Sequence, residues 1–145
     1  MIVFDIWEDM NERPDYYLEL VKTSQDSKKP KLGMSIEFGL FGSAEWRQSI
    51  ESGKIEKRKV MGEIIECFEA GQDNSGIPNT IRIVCEDGSL DECGMYISGG
   101  VSENAYRVGT KIEATFLLHP LKAKDSNGRP VLIRRPYHIE VFEPS

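Results

Sequence analysis

From Lys57 onward the chain is a succession of short runs in which apolar and polar side chains alternate, broken by dense turn signals. A period of two belongs to sheets and excludes a helical bundle for this half. The run KRKVMGEIIECFEA places Val60, Gly62, Ile64, Glu66 and Phe68 on one face and Met61, Ile65 and Cys67 on the other. It is apolar on both sides, as expected of a long central strand. The turn-rich GQDNSGIPN follows, and TIRIVCEDGSLDECGMYIS then alternates through Ile81, Ile83 and Cys85 around Asp87-Gly88, a strong hairpin signal. After the irregular GGVSENAYRVG, with room for one helical turn, TKIEATFLLHPLK sets Ile112, Ala114, Phe116 and Leu118 against Lys111, Glu113 and Thr115. DSNGRP reverses the chain into a last strand, VLIRRPYHIEVFEP, where Pro136 argues for an edge or a bulge.

Five strands, with the long irregular connection between the third and fourth, give the element order of an OB-type barrel. The expected class is therefore mainly β with one short helix (α+β). Residues 57–143 are expected to form a small antiparallel β-barrel of OB-like strand order. In the first third, IVFDIW and DYYLELVK alternate and read as strands, an N-terminal β extension. The one helix is expected at about 43–52. Ser43 can cap it, Glu45 suits its positive end, Gly53 can end it, and Trp46 and Ile50 share a face. A single domain is expected over 1–145, with N-terminal strands and the helix in 1–56 and the five-stranded barrel-like part in 57–145.

At 145 residues the chain can bury a core without staples, and its three cysteines are an odd number. The first residues carry Asp5, Glu8 and Asp9 where a signal peptide needs bases, so the expected setting is the reducing cytoplasm, away from membranes. The net charge of −6 opposes general nucleic-acid binding. Six acids stand against Arg13 alone up to Glu19, and CEDGSLDEC holds four acids without a base. Bases cluster at Lys57-Arg58-Lys59 and Arg134-Arg135.

The segment CEDGSLDEC invites three chemical readings. Zinc wants four Cys or His ligands in tight pairs, but Cys85 and Cys93 are eight apart and neither His119 nor His138 has a partner at ligand spacing. The acids miss the calcium-loop pattern. A redox pair depends on register: a three-residue loop would bring Cys85 opposite Cys93, a two-residue turn would set Cys85 against Leu90, and neighbouring carboxylates would make poor nucleophiles either way. No nucleophile-elbow, zinc-protease, phosphate-loop or dinucleotide motif occurs, and two histidines offer little acid–base material. No catalytic residue, metal ligand or cofactor is therefore expected.

What remains is a binding protein. The expected function is an acidic antitoxin- or immunity-type inhibitor that covers a basic partner such as a nuclease-like toxin. Its expected contacts are Glu86, Asp87, Asp91 and Glu92 on the turn, with Trp7, Glu8 and Asp9 near the N-terminus. The alternative is an OB-like module for single-stranded nucleic acid. It would use Lys57, Arg58, Lys59, Arg134 and Arg135 for phosphates and draw stacking rings from Tyr96, Tyr106, Phe116 and Tyr137.

Overall fold

A computed structural model describes residues 1–71 and 75–143. The middle of the GQDNSGIPN turn, residues 72–74, lies outside the described residues, as does the end of the last predicted strand. Among the described residues a six-stranded sheet runs in the order β1-β6-β5-β2-β3-β4, from β1 (Ile2–Asp5), β2 (Glu56–Phe68), β3 (Thr80–Cys85), β4 (Leu90–Gly94), β5 (Lys111–Lys124) and β6 (Pro130–Phe142). Helices α1 (Ile6–Glu12), α2 (Pro14–Gln25) and α3 (Ala44–Glu51) and a 3-10 turn at Glu103–Ala105 complete it. The chain divides into two compact units, one built from Met1–Asp9, Lys59–Thr115 and 136–143, the other from Met10–Arg58 and Phe116–Arg135.

The five strands from Glu56 onward form the run β6-β5-β2-β3-β4, but they do not close into a barrel. Closure would pair β4 with β6, the two ends of the run β6-β5-β2-β3-β4. The outer edge of β6 is instead taken by β1, with Ile2 opposite Glu140 and Asp5 opposite His138. A strand from the far end of the chain thus satisfies the ladder groups that a closed barrel would have used.

The N-terminal β extension also needs correction. Only Ile2–Asp5 is strand; DYYLELVK lies within α2. Pro14 at the first helical position and Asp15 in the first turn favour helix there. Tyr17 and Ser24 are buried with Leu20 and Val21 between them half-buried, a spacing of three, four and seven that belongs to one helical face. The end of α2 is held from outside: the Lys122 ammonium donates to the carbonyls of Thr23 at 2.7 Å, Asp26 at 3.1 Å and Lys29 at 3.2 Å. The apolar run MSIEFGLFG forms no strand; it meets β5 through the isolated Met34–Leu121 bridge and through Phe41, whose ring lies 5.7 Å from that of His119.

Helix α3 forms where expected. Ser43 Oγ accepts from the Trp46 N–H at 3.2 Å, and Trp46 and Ile50 are buried. In that second unit Phe41 stacks on Tyr17, with centroids 5.7 Å apart, and lies 4.4 Å from Trp46. Trp46 Nε1 donates to Nε2 of the buried His119 at 2.9 Å. The imidazole proton therefore sits on Nδ1, which donates to the Pro120 carbonyl at 2.9 Å. Burial pushes the His119 pKa below its usual value.

Candidate functional site

In the first unit, β2, β3 and β4 form a three-stranded surface whose two faces follow from register. Gly62 pairs with Cys85 and Ile64 with Ile83, but after Ile64 the register shifts and Glu66 pairs with Arg82. The extra residue at Ile65 is a bulge, which reverses every later side chain relative to simple alternation. The inner face is Val60, Ile64, Ile81 and Ile83, all buried, with Cys67, Cys85 and Cys93 half-buried beside them. The outer face carries Met61, Glu63, Glu66 and Phe68 from β2, Arg82 and Val84 from β3, and Leu90 and Glu92 from β4, with the bulged Ile65 exposed among them. Glu66 and Phe68 thus lie opposite to where unbroken alternation puts them, and Cys67 turns inward.

Two glycines make this surface possible. A Cβ on Gly62 would lie 2.1 Å from the Val84 carbonyl oxygen, so only glycine allows β2 and β3 this close. Gly88 has φ +86° and closes the β3–β4 hairpin, with Gly88 N–H on the Cys85 carbonyl at 2.9 Å and Cys85 N–H on the Ser89 carbonyl at 2.8 Å. The loop is therefore Glu86-Asp87-Gly88, and Cys85 faces Ser89 rather than Leu90 or Cys93. Cys93 stands opposite Ile81, four residues from Cys85 along the strand. That is roughly 13 Å, about twice the reach of a disulfide. None of the three cysteines is in a disulfide, and burial raises the Cys67 pKa, away from a reactive thiolate.

The four turn acids have different roles. Glu92 is not unneutralised: Arg82 reaches it at 2.8 Å and Glu66 at 2.8 Å, while its guanidinium lies 5.0 Å from the Phe68 ring centroid. Asp87 accepts from the Ser89 hydroxyl at 2.6 Å and the Ser89 N–H at 2.9 Å, which holds its pKa below the usual carboxylate value and keeps it charged. Asp91 lies on the inner face opposite Ile83, and its Oδ1 accepts the Glu92 N–H at 2.8 Å. Because Ser89 and Met95 bond inward to β3, that N–H is one of those pointing out of the sheet edge, so Asp91 guards the edge. Glu86 is exposed and, like Glu63, makes no ion pair among the described residues. The two line an open pocket of about 210 Å³ with Gly62, Val84 and Lys111.

Near the N-terminus, Asp5 Oδ1 caps α1 by accepting from the Trp7 N–H at 2.9 Å. Trp7 is half-buried, its ring edge-on to Tyr137 at 6.5 Å. The Glu8 carboxylate rests against Gly99, and Asp9 is only 3% exposed. Of these candidates Asp9 is thus buried and Trp7 half-buried.

The basic candidates fall in both units. Lys57 and Arg58 are exposed in the second unit, while Lys59, in the first, is paired with Glu113 at 2.6 Å. Arg134 lies over Phe116 at 4.2 Å, and Arg135 over Phe41 at 5.0 Å with a hydrogen bond to the Tyr16 hydroxyl at 3.1 Å. Of the four candidate rings, Tyr106 and Phe116 are core residues. Burial raises the Tyr106 pKa, and its hydroxyl donates to the Tyr96 carbonyl at 2.5 Å. Among the described residues no group of three or more His, Cys, Asp or Glu side chains could hold a metal ion.

The outer-face residues Met61, Glu63, Ile65, Glu66 and Leu90 were not singled out by sequence. The legible signal was the pair Met61 and Ile65, apolar on a strand whose other face already supplied the core. A family model described as immunity protein RhsI2 matches residues 1–135. No curated protein matches the chain.

Proposed function

The chain belongs to the RhsI2 immunity-protein family, whose members bind a toxin partner; from that premise we propose that it neutralises a basic, nuclease-like toxin by covering the toxin's positively charged active surface. It acts by occupancy rather than by catalysis. The observation that carries this reading is the outer face of β2–β4. There Glu63, Glu86 and Asp87 present charge to solvent, and the Arg82 clamp fixes Glu66 and Glu92 in place. Complementary charge of this kind accelerates encounter and rejects acidic surfaces. Cysteines kept as thiols rather than disulfides suit a reducing, cytoplasmic setting for that encounter.

The test is association kinetics with the purified cognate toxin domain at low and high salt. Glu63→Lys, Glu86→Lys and Asp87→Lys combined should slow association by about tenfold or more and flatten its salt dependence. Asp9→Asn should leave the association rate unchanged. An association rate indifferent to the triple reversal would sink the acidic-face reading.

A further inference from the structure

Resting on that reading, we infer that the toxin is anchored by the apolar stripe Met61, Ile65, Val84 and Leu90 on the outer face, and that the acids around it only steer. The fitting partner surface is an apolar projection ringed by Lys or Arg. Met61 is 42% exposed, Ile65 40% and Leu90 63%, and they lie on adjacent strands of one sheet face with Val84 between them. Single exposed apolar residues are ordinary, but a stripe across two strand pairs, rimmed by charge, has the anatomy of an interface centre. Glu63 lies directly across from Val84, Glu66 and Glu92 flank the next row, and Glu86 and Asp87 close the hairpin end.

The occupant follows from charge. Leu32 and Ile36 in the second unit are also exposed, at 57% and 49%, but they follow Lys28, Lys29 and Lys31, which would repel a basic partner. Around the stripe on β2–β4 carboxylates outnumber bases: Arg82 is already paired with Glu66 and Glu92, Lys59 with Glu113, and Lys111 lines the pocket beside Glu63 and Glu86. A basic toxin surface meets attraction here and repulsion there. Once docked, lysine and arginine stems of the partner would cover the rim and exclude water from the stripe.

Anchor and steering residues differ in which rate they control. Full-length chain carrying Met61→Ser, Ile65→Ser and Leu90→Ser is compared with wild type against the cognate toxin domain, with thermal melting as a check that the exposed substitutions leave the fold intact. Dissociation should accelerate roughly thirtyfold or more while association stays within about twofold. Leu32→Ser, the control, should alter neither rate. If the triple serine variant melts normally and dissociates at the wild-type rate while the Glu63, Glu86 and Asp87 reversals still slow association, the stripe is not the anchor and the acidic-face reading survives. If Leu32→Ser accelerates dissociation equally, the stripe has no special standing. If neither set of variants changes a rate, both readings fall together.

Discussion

Two hairpins in this molecule share one turn and carry opposite charge. In the β3–β4 hairpin, Cys85 N–H bonds the Ser89 carbonyl and Gly88 N–H the Cys85 carbonyl; in β5–β6, Asp125 N–H bonds the Arg129 carbonyl and Gly128 N–H the Asp125 carbonyl. Gly88 and Gly128 both have positive φ, +86° and +76°. Around the first stand Glu86, Asp87, Asp91 and Glu92; around the second stand Lys122, Lys124, Arg129, Arg134 and Arg135, with Asp125 as the acid that shapes the turn. The backbone conformation therefore dictates neither sign. The use of the charges separates them: Lys122 spends its ammonium on carbonyls of the α2 end, and Arg134 and Arg135 lie on buried rings. At the β3–β4 hairpin, Glu86 in the loop and Glu63 of the adjoining β2, opposite Val84, face solvent without an ion pair among the described residues. One hairpin is built inward, the other outward.

If that contrast holds, damage to the second hairpin falls on stability. Phe116→Ala, which removes a ring 2% exposed and the surface under Arg134, should cost about 3–5 kcal/mol in denaturant unfolding. Lys122→Met keeps much of the stem but strips three carbonyls of their donor, and should cost about 2 kcal/mol with toxin association unchanged. A larger effect of Lys122→Met on association than on the unfolding midpoint would break the contrast.

His119 gives the same unit a pH dependence with a defined sign. Its folded pKa is lowered by burial first and by the Arg135 charge in addition, while the Pro120 carbonyl opposes the shift. Below the ordinary value of 6.5 the unfolded chain takes up a proton that the folded imidazole refuses, because Nε2 is occupied by the Trp46 N–H. Stability should thus be full above pH 6.5, fall as pH drops below it, and level off once the lower folded value is passed. Unfolding midpoints of wild type and His119→Gln across that range check this; the slope should vanish in the variant.

These features were unequally legible. Asp87-Gly88 announced its hairpin because a positive φ at that position selects glycine locally. Ser43 with Trp46 and Ile50 announced α3 because cap and face lie within two turns. The misreadings came where long-range partners decide. Tyr16-Tyr17-Leu18 alternates like a strand, yet Pro14 and a Lys122 cap nearly a hundred residues away make it helix. No local signal marks the bulge at Ile65, and it moved Glu66 to the outer face where Arg82 could clamp it. The pairing of β1 with β6 spans almost the whole chain, so closure of the barrel could not be judged from strand order alone. For the candidate site, the acidic hairpin was readable, but the neutralisation of Glu92, the inward turn of Asp91 and the burial of Asp9 were not.

The smallest expected stability effect sharpens the contrast most. Arg82 is the one base on the outward hairpin, one-third exposed in its side chain and paired with Glu66 and Glu92 across three strands. Exposed pairs of this kind contribute little, so Arg82→Ala should barely move the unfolding midpoint. Its effect on binding has the opposite sign from a lost contact. Removing the guanidinium leaves Glu66 and Glu92 uncompensated, the face becomes one charge more negative, and association with a basic toxin should quicken by about twofold or more at low salt, with the gain disappearing at high salt. Slower association would mean that ordered carboxylates matter more than their summed charge, and Arg82 would then be a positioning residue of the interface rather than a local neutraliser. The inward hairpin offers no counterpart, since Arg135→Ala removes stacking on Phe41 and the bond to Tyr16 and should lower stability without quickening association.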